Sequence, residues 1–160
     1  MVTINLICVG DLKDKYWKDA CNEYEKRLSR WCKFNCIEIS ENKLISNPNE
    51  AQINHALDDE AERILQSITN NSYIFSLCIE GNQHTSTDFA NNISQLMING
   101  YSNVYFVIGS SHGLSDKIKK KANSRLSFSK MTFPHRLARV MLMEQIYRAF
   151  CILNGVKYNK

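Results

Sequence analysis

Apolar residues along this chain fall into two kinds of run, and the two kinds alternate. Thr3 to Val9 and Val104 to Ile108 are nearly continuous, too short for an ordinary helix and rich in β-branched and aromatic residues, so each predicts a buried strand. Phe34 to Ile39 alternates apolar with polar, and Tyr73 to Ile79 is again mostly apolar; both predict strands. Between the strands the spacing changes to three and four residues. Tyr16, Ala20, Tyr24 and Leu28 predict a helix from about Tyr16 to Arg30. Ile53, Leu57, Ala61, Ile64 and Ile68 predict another from Glu50 to Ile68, and Phe89, Ile93, Leu96 and Met97 a third from Thr87 to Ile98, ended by Asn99-Gly100. Glu41 to Asn49 reads as a loop and Glu80-Gly81-Asn82-Gln83 as a turn. Strands alternating with helices imply an α/β fold, a mostly parallel sheet with helices on both faces. We expect a single domain over residues 1–160.

The last third of the chain carries a denser pattern. Leu126 to His135 predicts a short strand and a loop feeding directly into a helix, and Pro134 suits a helix start because its missing N–H costs nothing there. The helix from Arg136 to Leu153 is apolar over most of its circumference, which predicts burial on more than one side. In so short a chain the second side is expected to be covered by another subunit.

Composition adds limits. No run of about 18 apolar residues predicts a membrane span, and the N-terminus lacks a signal peptide's pattern, so a cytoplasmic protein without a membrane partner is expected. The six cysteines (Cys8, Cys21, Cys32, Cys36, Cys78, Cys151) read as reduced packing residues. Cys32 and Cys36 are the only close pair, and no His or Cys cluster completes a four-ligand zinc site, so no metal is expected. A net charge of +4 says little by itself. The cations Lys117, Lys119, Lys120, Lys121, Arg125 and Lys130 after the glycine loop, with Arg136, Arg139 and Arg148 on the last helix, suit phosphate binding. A solvated lysine face explains Lys117 to Lys121 equally well.

In parallel sheets ligands bind beyond the carboxyl ends of the strands. That brings Leu77 to Gly81, Gly109 and the Ser127–Phe133 loop together. The Gly109-Ser110-Ser111-His112-Gly113 turn permits close backbone approach to a ligand, and it also serves as a plain strand-to-helix connection. A dinucleotide-binding reading lacks the G-x-G-x-x-G spacing after the first strand. Glu144 and Arg148, four residues apart on one helix, form either an ion pair that staples the helix or part of a site.

Ile108-Gly109, His112-Gly113-Leu114, the run Leu126 to His135, Arg139-Val140 and Glu144 to Phe150 stand at the spacing of a known signature. Together with Val9-Gly10 and Tyr158 they make the chain resemble, over nearly its whole length, the SPOUT methyltransferases, and among these the enzymes that methylate N3 of a pseudouridine in bacterial 23S rRNA. The resemblance implies a C-terminal trefoil knot and S-adenosyl-L-methionine as cofactor. By position it implies cofactor contacts from Leu77, Gly81, Gly109, Phe128, Ser129, Lys130, Met131, Thr132 and Phe133. It implies catalysis by Arg148, Tyr158, Asn159 and Glu144, with Arg148 steadying the anion of the target base and Glu144 holding its guanidinium. A homodimer acting on the assembled ribosome is the implied partner set, with no DNA. His135 reads as cofactor-loop structure, and His55, His84 and His112 as surface residues.

Two positions depart from the family pattern. Asn159 stands where a histidine is usual; an amide hydrogen-bonds an imide but does not take its proton near neutral pH. Ser110 stands where a second glycine is common, which costs about 1 kcal/mol if the position requires a positive φ. A divergent relative that binds ribosomes or RNA with weakened or lost catalysis, or that acts on a different RNA, is therefore the alternative.

Overall fold

The computed structural model describes all 160 residues. Ten elements follow in order: β1 (Thr3–Val9), α1 (Lys15–Leu28), β2 (Lys33–Ile39), α2 (Glu50–Gln66), β3 (Tyr73–Asn82), α3 (Ser86–Ile98), β4 (Asn103–Ile108), α4 (Asp116–Lys121), β5 (Ser124–Leu126) and α5 (His135–Leu153). The strands form one parallel sheet in the order β2-β1-β4-β3-β5. The two most apolar runs, β1 and β4, lie side by side inside it, where nearly every residue is buried.

Crossovers of a single hand sort the helices. The steps β1 to β2 and β3 to β4 run one way across the sheet and carry α1 and α3 on one face; β2 to β3 and β4 to β5 run the other way and carry α2 and α4 on the opposite face. The first face holds the larger core, with Ile4, Leu6, Phe75, Phe106, Phe89, Leu142 and Ile146. There Phe75 stacks on Phe106 with ring centroids 4.8 Å apart, and Phe89 meets Phe106 edge-on at 6.0 Å. The second face packs Ile7, Val9, Tyr105 and Val107 against Ala61, Ile64 and Ile118.

Helix starts are chemically marked. Asn49 accepts from the Gln52 backbone while the Gln52 side chain returns to the Asn49 backbone, a capping box that ends the 41–49 loop. Thr85 and Ser115 cap α3 and α4 in the same sense.

The structure bears on three expectations. The predicted turn at Glu80–Gln83 is instead strand: β3 runs on to Asn82, with an irregularity between Leu77 and Asn82 where it pairs β5. α5 packs within the chain against α1 on one flank, α3 on the other and β4 beneath, while its Leu137, Val140, Met141 and Leu153 stay only partly buried. Arg139 is no surface cation: it is 7% exposed and donates to Glu38 Oε1 at 2.9 Å.

Candidate active site

Beyond the carboxyl ends of β3, β4 and β5 lies a cavity of about 790 Å³, within the range of cofactor sites. Three segments wall it: Leu77 to Glu80, Ile108 to Leu114, and Ser127 to His135. Of the nine residues matched to cofactor contacts, Leu77, Gly109, Phe128, Ser129, Met131, Thr132 and Phe133 line it. Gly81 and Lys130 do not. Gly81 faces β5 instead: a Cβ there would stand 2.8 Å from the backbone carbons of Arg125 and Leu126, so glycine lets two strands approach. Lys130 is exposed at a bend, its charge in water.

Gly109 is required by packing of the same kind. A Cβ on it would collide with the Gly113 carbonyl and press on Leu114, because the 109–113 turn folds back on itself. The turn closes with the Gly113 N–H donating to the Ser110 carbonyl at 2.9 Å, and Gly113 takes φ +86°. Ser110 is buried and does not adopt a positive φ, so the strain expected for a serine there is absent. In the third segment the Ser127 hydroxyl donates to the Ser129 carbonyl and the Met131 N–H to Ser129 Oγ, bonds that fix the loop's curl.

Three further residues of the loops that the sequence brought together line the cavity without having been matched to cofactor contacts. Glu80, ion-paired with Lys119, puts a carboxylate on the wall, and Lys119 holds its pKa below the ordinary value. His112, read as a surface residue, lines the cavity, as does His135. Burial pushes the His135 imidazole down, and neighbouring Arg136 adds to the effect against the opposing Glu41. Glu41 and His135 flank Gly10, at 3.7 Å each from where its Cβ would be. The signal available for these was the glycine turn and the Pro134 helix start, both of which bracket the cavity.

The residues matched to catalysis assemble at the other end of α5. Arg148 Nε donates to Glu144 Oε1 at 3.0 Å, and a second nitrogen of the guanidinium reaches the same oxygen. Arg148 Nη1 donates to Asn159 Oδ1 at 3.0 Å, and its guanidinium lies 4.7 Å from the centre of the Tyr158 ring. Tyr158 in turn donates to Glu144 Oε1 at 3.1 Å and packs edge-on against Tyr147. Glu144 raises the Arg148 pKa; burial, aided by Tyr24 and Glu144, pushes Tyr158 up to about 12, so its phenol is a donor near neutral pH. Arg148, Tyr158 and Asn159 do not line the cavity. Glu144 lines a neighbouring groove of about 460 Å³, with Ser127 and Phe128 forming the wall common to both.

Two cysteine expectations divide. All six thiols are free, and Cys8, Cys21, Cys32 and Cys151 are buried packing residues, but Cys36 is exposed and Cys78 partly so. No three His, Cys, Asp or Glu side chains are grouped as a metal site, and no helix is long and apolar enough to cross a membrane. Of the cations after the glycine turn, Lys117 pairs with Asp58 and Glu62, and Lys119 with Glu80, which removes part of the positive field expected there.

A family model described as "Predicted SPOUT methyltransferase" matches residues 2–159. The chain belongs to the SPOUT methyltransferase family. Among curated relatives, ribosomal RNA large subunit methyltransferase H of Clostridium tetani is 49% identical over 159 residues, covering 99% of this chain and 100% of the relative. The protein of the same name in Streptococcus thermophilus is 48% identical over 157 residues, 98% of this chain and 99% of the relative. The crystal structure of a probable methyltransferase from Bordetella pertussis Tohama I covers 93% of this chain and 95% of its own at a TM-score of 0.61; at 12% identity it shares the fold alone. As a SPOUT member this chain is a methyltransferase, and its α/β sheet agrees with that assignment.

Proposed function

We propose that this SPOUT protein transfers the methyl group of S-adenosylmethionine to N3 of a pseudouridine in bacterial 23S rRNA, on the assembled ribosome, as a cytoplasmic homodimer. The observation that carries the reading is the shared wall of Ser127 and Phe128, which joins a cofactor-sized cavity to a groove ending at Glu144. The curated relatives' names supply the ribosomal RNA.

The lining residues fit the cofactor. Leu77, Ile108, Leu114 and Phe133 offer apolar surface to an adenine ring, and the 109–113 turn offers backbone at close range. When bound, S-adenosylmethionine supplies a methyl group made electrophilic by its sulfonium. The chain's own residues do the rest. An imide N3 must shed its proton to attack, and a fixed cation lowers the cost of the anion. Arg148 is that cation, held in place by Glu144, Tyr158 and Asn159. Tyr158 stays protonated and Asn159 holds no titratable proton, so the cluster works by steadying the anion rather than as a general base. Asn159 keeps an acceptor on Arg148, which favours an active enzyme over a binding-only relative.

Because Arg148, Tyr158 and Asn159 stand outside their own chain's cavity, a second copy is proposed to bring its cluster to this one's groove. A trefoil knot at the C-terminal segment is proposed as well. It is supported by the path of residues 127–135, which leave the sheet edge at β5, pass the 109–114 turn and bring Arg136 to donate to the Asp11 carbonyl beyond β1.

The test is transfer of labelled methyl from S-adenosylmethionine to ribosomes from a strain lacking its own pseudouridine N3-methyltransferase, comparing wild type with Asn159→His. Labelling of the pseudouridine by the wild type is expected, with loss on dilution to monomer. Transfer by Asn159→His alone would replace this reading with that of a ribosome-binding relative that has lost its chemistry.

A further inference from the structure

The Asp11–Leu12 loop after β1, together with α1, β2 and α5, encloses a separate cavity of about 310 Å³ that shares no lining residue with the cofactor cavity or the groove at Glu144. Cys36 and Arg139 both line it. Cys36 sits on the edge strand β2, exposed, with Arg139 Nη2 donating to its Sγ at 3.0 Å. Arg139 itself is 7% exposed, and its Nε is buried with no partner, so the guanidinium that reaches the sulfur through Nη2 retains an unused donor away from water. Leaving such a donor unpaired is unfavourable, and an anion at this place would recover part of that cost. A thiol beside a partly unsatisfied buried cation is the arrangement that favours a reactive thiolate.

We propose that Cys36 is a covalent modification site: a thiolate nucleophile for hydroperoxides and other soft electrophiles, with Arg139 as the cation that holds both the thiolate and its charged product. With a hydroperoxide, the sulfur lone pair attacks the terminal oxygen. The S–O bond forms as the O–O bond breaks, two electrons pass from sulfur to the peroxide, and the departing alkoxide takes a proton from water. Cys36 is left as a sulfenic acid, whose ionised form the Arg139 donor accommodates.

The surrounding charges act in both directions. The Cys8 thiol of β1 and Arg139 of α5 favour the anion, while burial, Glu38 on the same strand and Glu25 of α1 oppose it; the balance holds the Cys36 thiol below its ordinary value. Cys21, also on α1, is buried and its thiol is pushed up by that burial. Cys8 does not resolve the product as a disulfide. Leu6 is the strand partner of Cys36, so Cys8 lies two residues further along β1. That diagonal separates Cα atoms by about 7–8 Å, beyond the roughly 7 Å that a disulfide spans without backbone movement.

The natural control is Cys78, partly exposed, whose thiol burial pushes up. The experiment is residue-resolved mass spectrometry of the whole native protein after timed exposure to iodoacetamide between pH 6 and 9, and after hydrogen peroxide with dimedone. Cys36 is expected to alkylate at least about tenfold faster than Cys78 at pH 7, since each unit of pKa changes the thiolate fraction tenfold, and to carry the dimedone adduct. Arg139→Gln should slow Cys36 and move its rate profile to higher pH. Glu38→Gln, on a half-exposed side chain, frees the guanidinium for sulfur and should speed it, which keeps the test open if Arg139→Gln does not fold. Alkylation of Cys78 as fast as Cys36, a Cys36–Cys8 disulfide in place of the dimedone adduct, or no response to Glu38→Gln would overturn the proposal.

Discussion

The proposed cofactor cavity is lined mostly by backbone, small residues and apolar side chains from three loops, with Glu80, His112 and His135 among them, whereas the Arg148 cluster is three side chains gathered about one guanidinium. The difference decides how each region fails. A wall made of backbone is indifferent to most side-chain changes and intolerant of added atoms at its close approaches. A cluster made of side chains keeps its fold when one is removed and loses only the charge arrangement.

The largest effect should come from Gly109→Ala. Its Cβ has no room against the Gly113 carbonyl, so overpacking should cost about 3 kcal/mol and abolish S-adenosylmethionine binding, read by urea denaturation and calorimetry. Normal cofactor binding in that variant would mean the turn is not part of the cavity wall. Next comes Arg148→Ala, expected to reduce single-turnover methyl transfer by about 10²–10³ while leaving cofactor affinity within about twofold. Equal losses in both would dissolve the distinction between the two regions.

A smaller effect is expected from Tyr158→Phe, which deletes one hydrogen bond to Glu144 and should cost about 1 kcal/mol in transfer. The same phenol gives a pH signature. Its pKa rises from the ordinary 10 to about 12 in the folded chain, so its contribution to stability is complete below pH 10 and is lost as pH climbs through about 12. Denaturation midpoints of wild type should therefore fall more than those of Tyr158→Phe over that interval. Last, Ser110→Gly should change stability by less than about 0.5 kcal/mol, since Ser110 carries no positive φ. A large gain in cofactor affinity instead would show the serine side chain obstructing the ligand.

Much of this was legible in the chain. Thr3 to Val9 and Val104 to Ile108 announce central strands because both of their faces are buried, and α2 and α3 carry their stripes and caps locally. The cavity's three segments follow from the parallel sheet, and their residues from the family resemblance. What escaped depends on distant partners. β3 continues past Gly81 because β5, more than 40 residues on, lies against it. Arg139 looks like a surface cation until Glu38 and Cys36, about a hundred positions earlier, are seen to receive it. The apolar girth of α5 does not say whether α1 and α3 or a second chain will cover it.

The order in which the chain is made gives the third loop a further meaning. Residues 127–135 close the cavity, and α5, which seats them between α1 and α3, is the last helix to be synthesised. Every strand of the sheet is already complete by Leu126, so a product halted there has a scaffold without a floor to its pocket.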